Sequence, residues 1–236
     1  DLASAEQLIS TTAQVFAEDQ LFRIDHYLAK ETVQNILAFR QHNPIFAPIW
    51  HTGSITNIAI LASEQIGIEG RVNFYEGLGA LRDFVQSHLL QLLAVTTMQM
   101  PAELNSESIH AGSQALLNSV RPADPKQAIR GQYQTYKKEV NNPNSTSETY
   151  AHIALTINND TWRDVPITIT TGKALDVKRS EVRITFTNPD TPADATNQLI
   201  FRIQPNEGIE LELQVKRPGF EQELQATSMD FSYQTT

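Results

Sequence analysis

The sequence predicts an α+β fold, a large and mostly antiparallel sheet packed against helices. Three observations point to it. Apolar residues recur at helical spacing through most of the chain up to Asn118. From Tyr150 onward they alternate with polar residues instead. Clusters of Asn, Asp, Pro and Gly then cut the alternating region into short runs, as tight connections between neighbouring strands do. Helices first and a meander afterwards describe an α+β domain with one wet sheet face.

Ser4 and Gln7 have capping-box spacing, and Leu8, Ile9, Thr12, Ala13, Val15 and Phe16 continue an amphipathic helix to about Ala17. Residues 20–24 read as a short strand. A second helix is expected from near His26 to near Arg40, since Val33, Ile36 and Leu37 are helically spaced and Asn43-Pro44 marks a boundary. The β-branched residues of 45–50 and 55–64 suggest extended chain around a turn at His51-Thr52-Gly53-Ser54. A long helix is predicted over 78–100, stopped by Pro101, with Leu81, Phe84, Val85, His88, Leu89 and Leu92 on one face. Another helix over 106–118 precedes a polar loop at 141–147. The strands follow: Ile153, Leu155, Ile157; Ile167, Ile169; Val182, Ile184, Phe186; Leu199, Phe201, Ile203; and Ile209, Leu211, Leu213, Val215.

Composition narrows the function classes. At 236 residues there is enough chain for one large core. A formal charge of −9 argues against nucleic-acid binding, which calls for a basic stripe, so any anion site must be a local basic pocket. With no Cys there is no disulfide and no thiolate metal site, which fits a reducing, cytoplasmic setting. The six His lack ligand spacing, so no metal is expected. The apolar run around Leu89 is too short to span a bilayer.

Chemistry concentrates in Phe22-Arg23-Ile24-Asp25-His26-Tyr27-Leu28-Ala29-Lys30-Glu31. In a helix starting near His26, His26 and Lys30 lie four apart on one face, two nitrogen donors suited to a phosphate. Asp25, just outside, can hold an imidazole in one tautomer and stabilise its cation. The decamer equally suits a solvated helix start. His88 has apolar neighbours on its helical face, so it is either a core histidine or a neutral imidazole ready to accept a proton. Asp83 lies five residues before it, about 140° away in an ideal α-helix; both can reach one ligand only if the helix is locally widened, as in a π-bulge, or the ligand lies across its end. Glu64 and Asp83 alone read as surface carboxylates, and Lys173, Lys178 and Arg179 as a basic turn.

The decamer resembles the R-I-D-H-Y-L-G-K-E signature of the glucose-6-phosphate dehydrogenases. The resemblance continues in family order through Asn43-Pro44-Ile45-Phe46-Ala47-Pro48-Ile49-Trp50, Gln86-Ser87-His88-Leu89-Leu90-Gln91, Gly172-Lys173-Ala174-Leu175 and Gln204-Pro205-Asn206-Glu207. It implies oxidation of glucose 6-phosphate at C1 to the lactone, with hydride passing to NADP or NAD. His88 would be the general base and Asp25 its partner. His26, Tyr27, Lys30, Lys173 and Lys178 would surround the sugar phosphate, and Glu64 and Asp83 would meet sugar hydroxyls. It also implies a homodimer or tetramer formed through the sheet.

No Gly-x-Gly-x-x-Gly loop joins a strand to a helix. The resemblance then implies that residues 1–20 are a residual helix of a coenzyme-binding domain otherwise absent from this chain, and 21–236 an α+β substrate-binding and dimerising domain truncated at its end. The chain alone should then be inactive. The rival expectation is a noncatalytic sugar-phosphate-binding or assembly module. Ala29 replaces the family's Gly, which would cost about 1 kcal/mol if that position required positive φ. Glu212 stands where eukaryotic members use a basic residue for a second NADP, implying a bacterial-type protein without that site.

Overall fold

The structure is a computed structural model that describes residues 2–17, 20–22, 27–187, 196–220 and 222–233. Helix α1 spans Leu2–Thr12. Ser4 thus lies inside it and cannot cap it. The helix ends earlier than the pattern predicts because Ser10, Thr11 and Thr12 turn their hydroxyls back onto the carbonyls of Gln7, Leu8 and Ile9. No strand forms over 20–22, and residues 23–26 lie outside the described residues. Helix α2 runs Glu31–His42, later than expected. Tyr27 to Lys30 form a turn closed by Lys30 N–H on Tyr27 O at 3.1 Å, and Lys30 is the extended N-cap. The expected placement of Lys30 on a helical face is therefore corrected. Residues 45–50 are not extended either. Pro44 and Pro48 carry no N–H for a ladder, and the segment turns into a 3₁₀ helix, Ala47–Ile49, with Phe46 against Phe39 at 4.8 Å.

The remaining elements are β1 (Ile55–Ser63), α3 (Val72–Tyr75), a π-helix (Leu81–Leu89), α4 (Leu90–Thr97), α5 (Ser106–Ser119), β2 (Val120–Arg121), β3 (Ile129–Gly131), α6 (Tyr136–Glu139), β4 (Tyr150–Ile157), β5 (Ile167–Gly172), β6 (Arg179–Phe186), β7 (Gln198–Gln204), β8 (Gly208–Lys216) and β9 (Leu224–Ser232). The long helix predicted over 78–100 is thus two helices of different pitch. The strands order as β2-β4-β5-β1-β6-β7-β8-β9, with β3 also on β4. Among these pairs only β1 with β5 is parallel. Five helical elements intervene between β1 and β5, the crossover that a parallel pair requires.

Strand β1 sits mid-sheet, Ile58 and Ile60 facing Ile167 and Ile169 on one side and Ile184 and Val182 on the other. Helices α2 and α4 cover this region, with Val33, Ile36, Leu92, Leu93 and Val95 in the same core. At the far edge the expected single wet face gives way to exposure on both faces of β9, whose Leu224, Met229 and Phe231 are about half exposed.

Helix α4 is buried nearly all round, so its ends need protein partners. Trp50 and Trp162 donate their indole N–H to the carbonyls of Thr96 and Thr97 at 2.9 and 2.7 Å. Arg40 donates to Val95 O at 2.8 Å and Met98 O at 2.6 Å, and burial brings its guanidinium down to about 10, still charged at neutral pH. These caps join α2, the 3₁₀ segment and the β4–β5 loop to one helix end.

A satellite core of Ile68, Tyr75, Tyr136 and Val140 lies apart from the main one. Its organiser is Glu76, whose carboxylate accepts from Tyr136 at 2.7 Å, Ser145 at 2.8 Å and Asn142 at 2.9 Å. Desolvation pushes its carboxyl upward, but the hydrogen bonds outweigh that and hold it below its ordinary value. Native Glu76 therefore binds its proton less readily than the unfolded chain. The stability it contributes is complete above the unfolded carboxylate range and lost as pH falls through the lower native value. Glu76→Gln is expected to flatten the acid side of a melting-temperature profile between about pH 5 and pH 3. A variant with the same acid slope as the parent would refute this.

Candidate active site

The π-helix carries two of the expected site residues. Leu90 N–H donates to Val85 O, five residues back rather than four. This wider turn narrows the angle between residues five apart, so Asp83 and His88 lie nearer to one side than an α-helix would put them.

His88 is half-buried among aromatic rings. It stacks on Tyr27 at 4.9 Å and 21°, and meets Phe84 edge-on at 5.3 Å. Tyr27 is 2% exposed; its ring touches Phe84 at 5.3 Å, and its hydroxyl lies 3.3 Å from Ser180 Oγ. Above the same ring, 4.5 Å from its centre, lies Lys30 Nζ, which donates to Gln204 Oε1 at 2.9 Å. Gln204 in turn donates to Ser180 Oγ at 3.1 Å. Burial lowers the Lys30 ammonium; Glu207 raises it, and Lys178 lowers it again by like-charge repulsion. Lys30 and exposed Lys178 thus feel one another. Thr32 fixes Glu207 through a 2.8 Å hydrogen bond.

Through Phe84 this group reaches a second one. Glu64, Tyr75, Asp83, Phe84, Thr149, Thr171 and Lys173 line a tight cavity of about 10 Å³. Lys173, 6% exposed, is ion-paired with Glu64 and lies 5.6 Å over the Tyr75 ring. Burial raises the Tyr75 phenol strongly, with further contributions from Asp83, Glu148, Tyr136 and Glu64, so it stays protonated. Backbone hydrogen bonds set this pair. Glu64 N–H donates to Gly172 O, Leu175 N–H to Glu64 O and Ala174 N–H to Ile66 O, each at 2.9 Å. At Gly172 a Cβ would come within 2.8 Å of Leu175 and 2.9 Å of Tyr150, so the residue before Lys173 has no room for a side chain.

The structure therefore brings His88, Tyr27 and Lys30 together, with Lys178 in electrostatic reach of Lys30. It places Lys173 with Glu64 and Asp83, reached from Lys30 through Tyr27 and Phe84. Asp25 and His26 lie outside the described residues. Ala29 is free of left-handed strain, since the non-glycine residues at positive φ among those described are Glu69, Asn141, Asp164 and Ala174. Sequence reading missed Tyr75, Phe84, Ser180, Gln204 and Glu207 as site residues. Gln204 and Glu207 lie in a segment already conspicuous, and Phe84 on the helical face already identified, but nothing local tells a site aromatic from a core one.

The family sequence model "Glucose-6-phosphate dehydrogenase, C-terminal domain" matches residues 37–236. The chain belongs to the glucose-6-phosphate dehydrogenase family. That family's "NAD binding domain" model matches residues 1–35. A glucose-6-phosphate 1-dehydrogenase of Borreliella burgdorferi is 41% identical over 253 aligned positions, covering 98% of this chain and 53% of the relative. One of Dictyostelium discoideum is 39% identical, covering 99% and 50%. A solved structure of a glucose-6-phosphate dehydrogenase in complex with its substrate glucose-6-phosphate superposes with a TM-score of 0.92 at 36% identity, over 99% of this chain and 51% of that one. The enzyme from Mycobacterium avium superposes at 0.89 with 34% identity. The chain spans about half the length of the curated relatives it matches. The expected fold class holds, with β1 inserted into the meander.

Proposed function

We propose that this chain supplies the substrate-binding and catalytic part of a glucose-6-phosphate dehydrogenase. The observation that carries the reading is the Tyr27–His88–Phe84 cluster, with Lys30 above one of its rings and the Glu64–Lys173 pair and Asp83 beside another. A phosphorylated sugar needs cations at one end, hydroxyl-binding carboxylates at the other and a base between them. Lys30 and Lys178 suit the phosphate, a dianion favoured by charge-assisted hydrogen bonds. Glu64 and Asp83 suit ring hydroxyls, and Lys173, expected at the phosphate, is paired with Glu64 beside Asp83 and so suits the hydroxyl end instead. His88 takes the proton of the C1 hydroxyl as C1 gives up hydride, leaving a lactone carbonyl. Asp25 and His26 keep the roles the family resemblance implies, base partner and phosphate ligand.

The turns leaving β1 and β5 hold Glu64 and Lys173, and neither is a glycine loop opening a helix. NADP or NAD, which accepts the hydride, is thus held by other parts of the enzyme, with residues 1–20 as an edge of that domain. The half-exposed apolar side chains of β9 support pairing of copies through the sheet, and a 39% identical relative from Solanum tuberosum, named a cytoplasmic isoform, supports the same location here.

The test uses the 236-residue chain alone. Glucose 6-phosphate is expected to raise its melting temperature, since a ligand binding only the native state stabilises it by mass action, while glucose at equal concentration does little. With NADP or NAD added, no turnover is expected. Equal shifts with both sugars would overturn the phosphate assignment, and steady turnover would overturn the division of labour.

A further inference from the structure

The segment just before the π-helix has its hydrogen bonds diverted. In a continuous α-helix from α3, Ala80 and Leu81 N–H would donate to the carbonyls of Glu76 and Gly77. Instead both are taken by Glu148: Ala80 N–H meets its carbonyl at 2.8 Å and Leu81 N–H its Oε1 at 3.0 Å. The carbonyls they forgo are also occupied, that of Glu76 by the Ser147 hydroxyl and that of Gly77 by Arg82 Nη1 at 3.3 Å. A foreign dipeptide, Ser147-Glu148, thus interrupts the ladder, the kind of insertion that lets a helix change pitch.

Gly79 shows how closely Glu148 is seated. It stands at φ 67°, and a Cβ there would fall 2.5 Å from Glu148 Oε1 and 2.9 Å from Oε2. Glu148 is 8% exposed, and the loop that delivers it is tied down at several points. Gln132 donates to Ser147 O at 2.8 Å and Ser145 O at 3.1 Å, Ser145 and Asn142 donate to Glu76, and Thr149 N–H donates to Gly131 O at 2.8 Å.

We propose that Glu148 is a positioning residue for Asp83 and His88. By drawing Ala80 and Leu81 away from the preceding turn, it starts the helix in the widened register that brings those side chains nearer to one side. A run of nine residues with i→i+5 character is rare, since π-helices mostly appear as single turns; without an outside anchor the α register is the lower-energy choice. The catalytic consequence rests on the function proposed above, but the register itself does not.

The experiment compares Glu148→Ala and Glu148→Gln in the full-length enzyme, by crystal structure, melting temperature, kcat and KM for glucose 6-phosphate. Glu148→Ala is expected to move the Leu90 N–H from Val85 O to Gln86 O and lower kcat roughly 10²-fold, the scale of a misplacement near 1 Å. Glu148→Gln keeps the acceptor oxygen and should retain both register and kcat. A Glu148→Ala protein that melts lower but keeps the Leu90–Val85 bond and its kcat overturns the proposal, because Glu148 is then only a cap. So does a folded Glu148→Gln protein that loses the register. Should Glu148→Ala fail to fold, Gly79→Ala drives a Cβ into the carboxylate and must show the same register change; a folded Gly79→Ala with parental register and kcat also overturns it. An inactive parent enzyme would refute the proposed function, while the register comparison would still decide this one.

Discussion

His88→Asn is expected to lower kcat for glucose 6-phosphate by roughly 10²–10⁴, the usual range for a lost general base, in a full-length enzyme carrying this sequence. That corresponds to about 3–5 kcal/mol on the barrier. The same substitution removes the ring contacts with Tyr27 and Phe84, worth about 1 kcal/mol each, so the melting temperature should fall as well. A lower melting temperature therefore cannot separate a base from a core histidine, but kcat can. KM should change little, because the phosphate end is untouched. The acid limb that a titrating imidazole imposes on the rate should disappear. A variant that melts lower yet turns over normally would make His88 a packing residue.

Lys30→Ala should act on the other kinetic constant. A charge-assisted hydrogen bond is worth about 1.5–3 kcal/mol, so KM should rise about 10- to 100-fold while kcat changes little, since the phosphate is remote from C1 and its contact is alike in ground and transition states. Burial and Lys178 hold the ammonium below an ordinary lysine. In the free enzyme it therefore loses its proton, and with it phosphate affinity, at lower pH than a solvated lysine, so KM should begin to climb early on the alkaline side. Lys30→Ala should abolish that climb. Unchanged KM with collapsed kcat would assign Lys30 to the chemistry instead.

Much of the fold was legible because periodicity reports burial. Val33, Ile36 and Leu37 are helically spaced because one side of α2 is buried, and Ile167 and Ile169 alternate because one face of β5 is. The widened helix was legible in part: Asp83 and His88 lie about 140° apart on an α-helix, so a shared ligand requires either a widened helix or a ligand across its end, and the spacing alone does not choose between them. Residues 45–50 misled because β-branched side chains suggested a strand while Pro48, and Pro44 just before them, removed donors a strand needs. The start of α2 was misplaced because Lys30 is not a residue type that marks an N-cap.

The sequence alone thus determined which residues are apolar-faced, where the chain turns, which family signature it carries and which acids, bases and cations stand ready. Tertiary structure decided their partners. Periodicity says that β1 is buried but not that its neighbours are β5 and β6, more than 100 residues away in the chain. In the same way, Lys173 reads as part of a basic turn until the β1–β5 pairing sets it against Glu64. Glu148, just past the polar loop at 141–147, carries no signal of its own until Ser147 and Glu148 enter the ladder ahead of the π-helix. The physical reason is one of range: side-chain spacing records contacts within a few turns of chain, whereas pairing across the sheet and insertion into a helix depend on backbone donors and acceptors that are the same in every residue but proline.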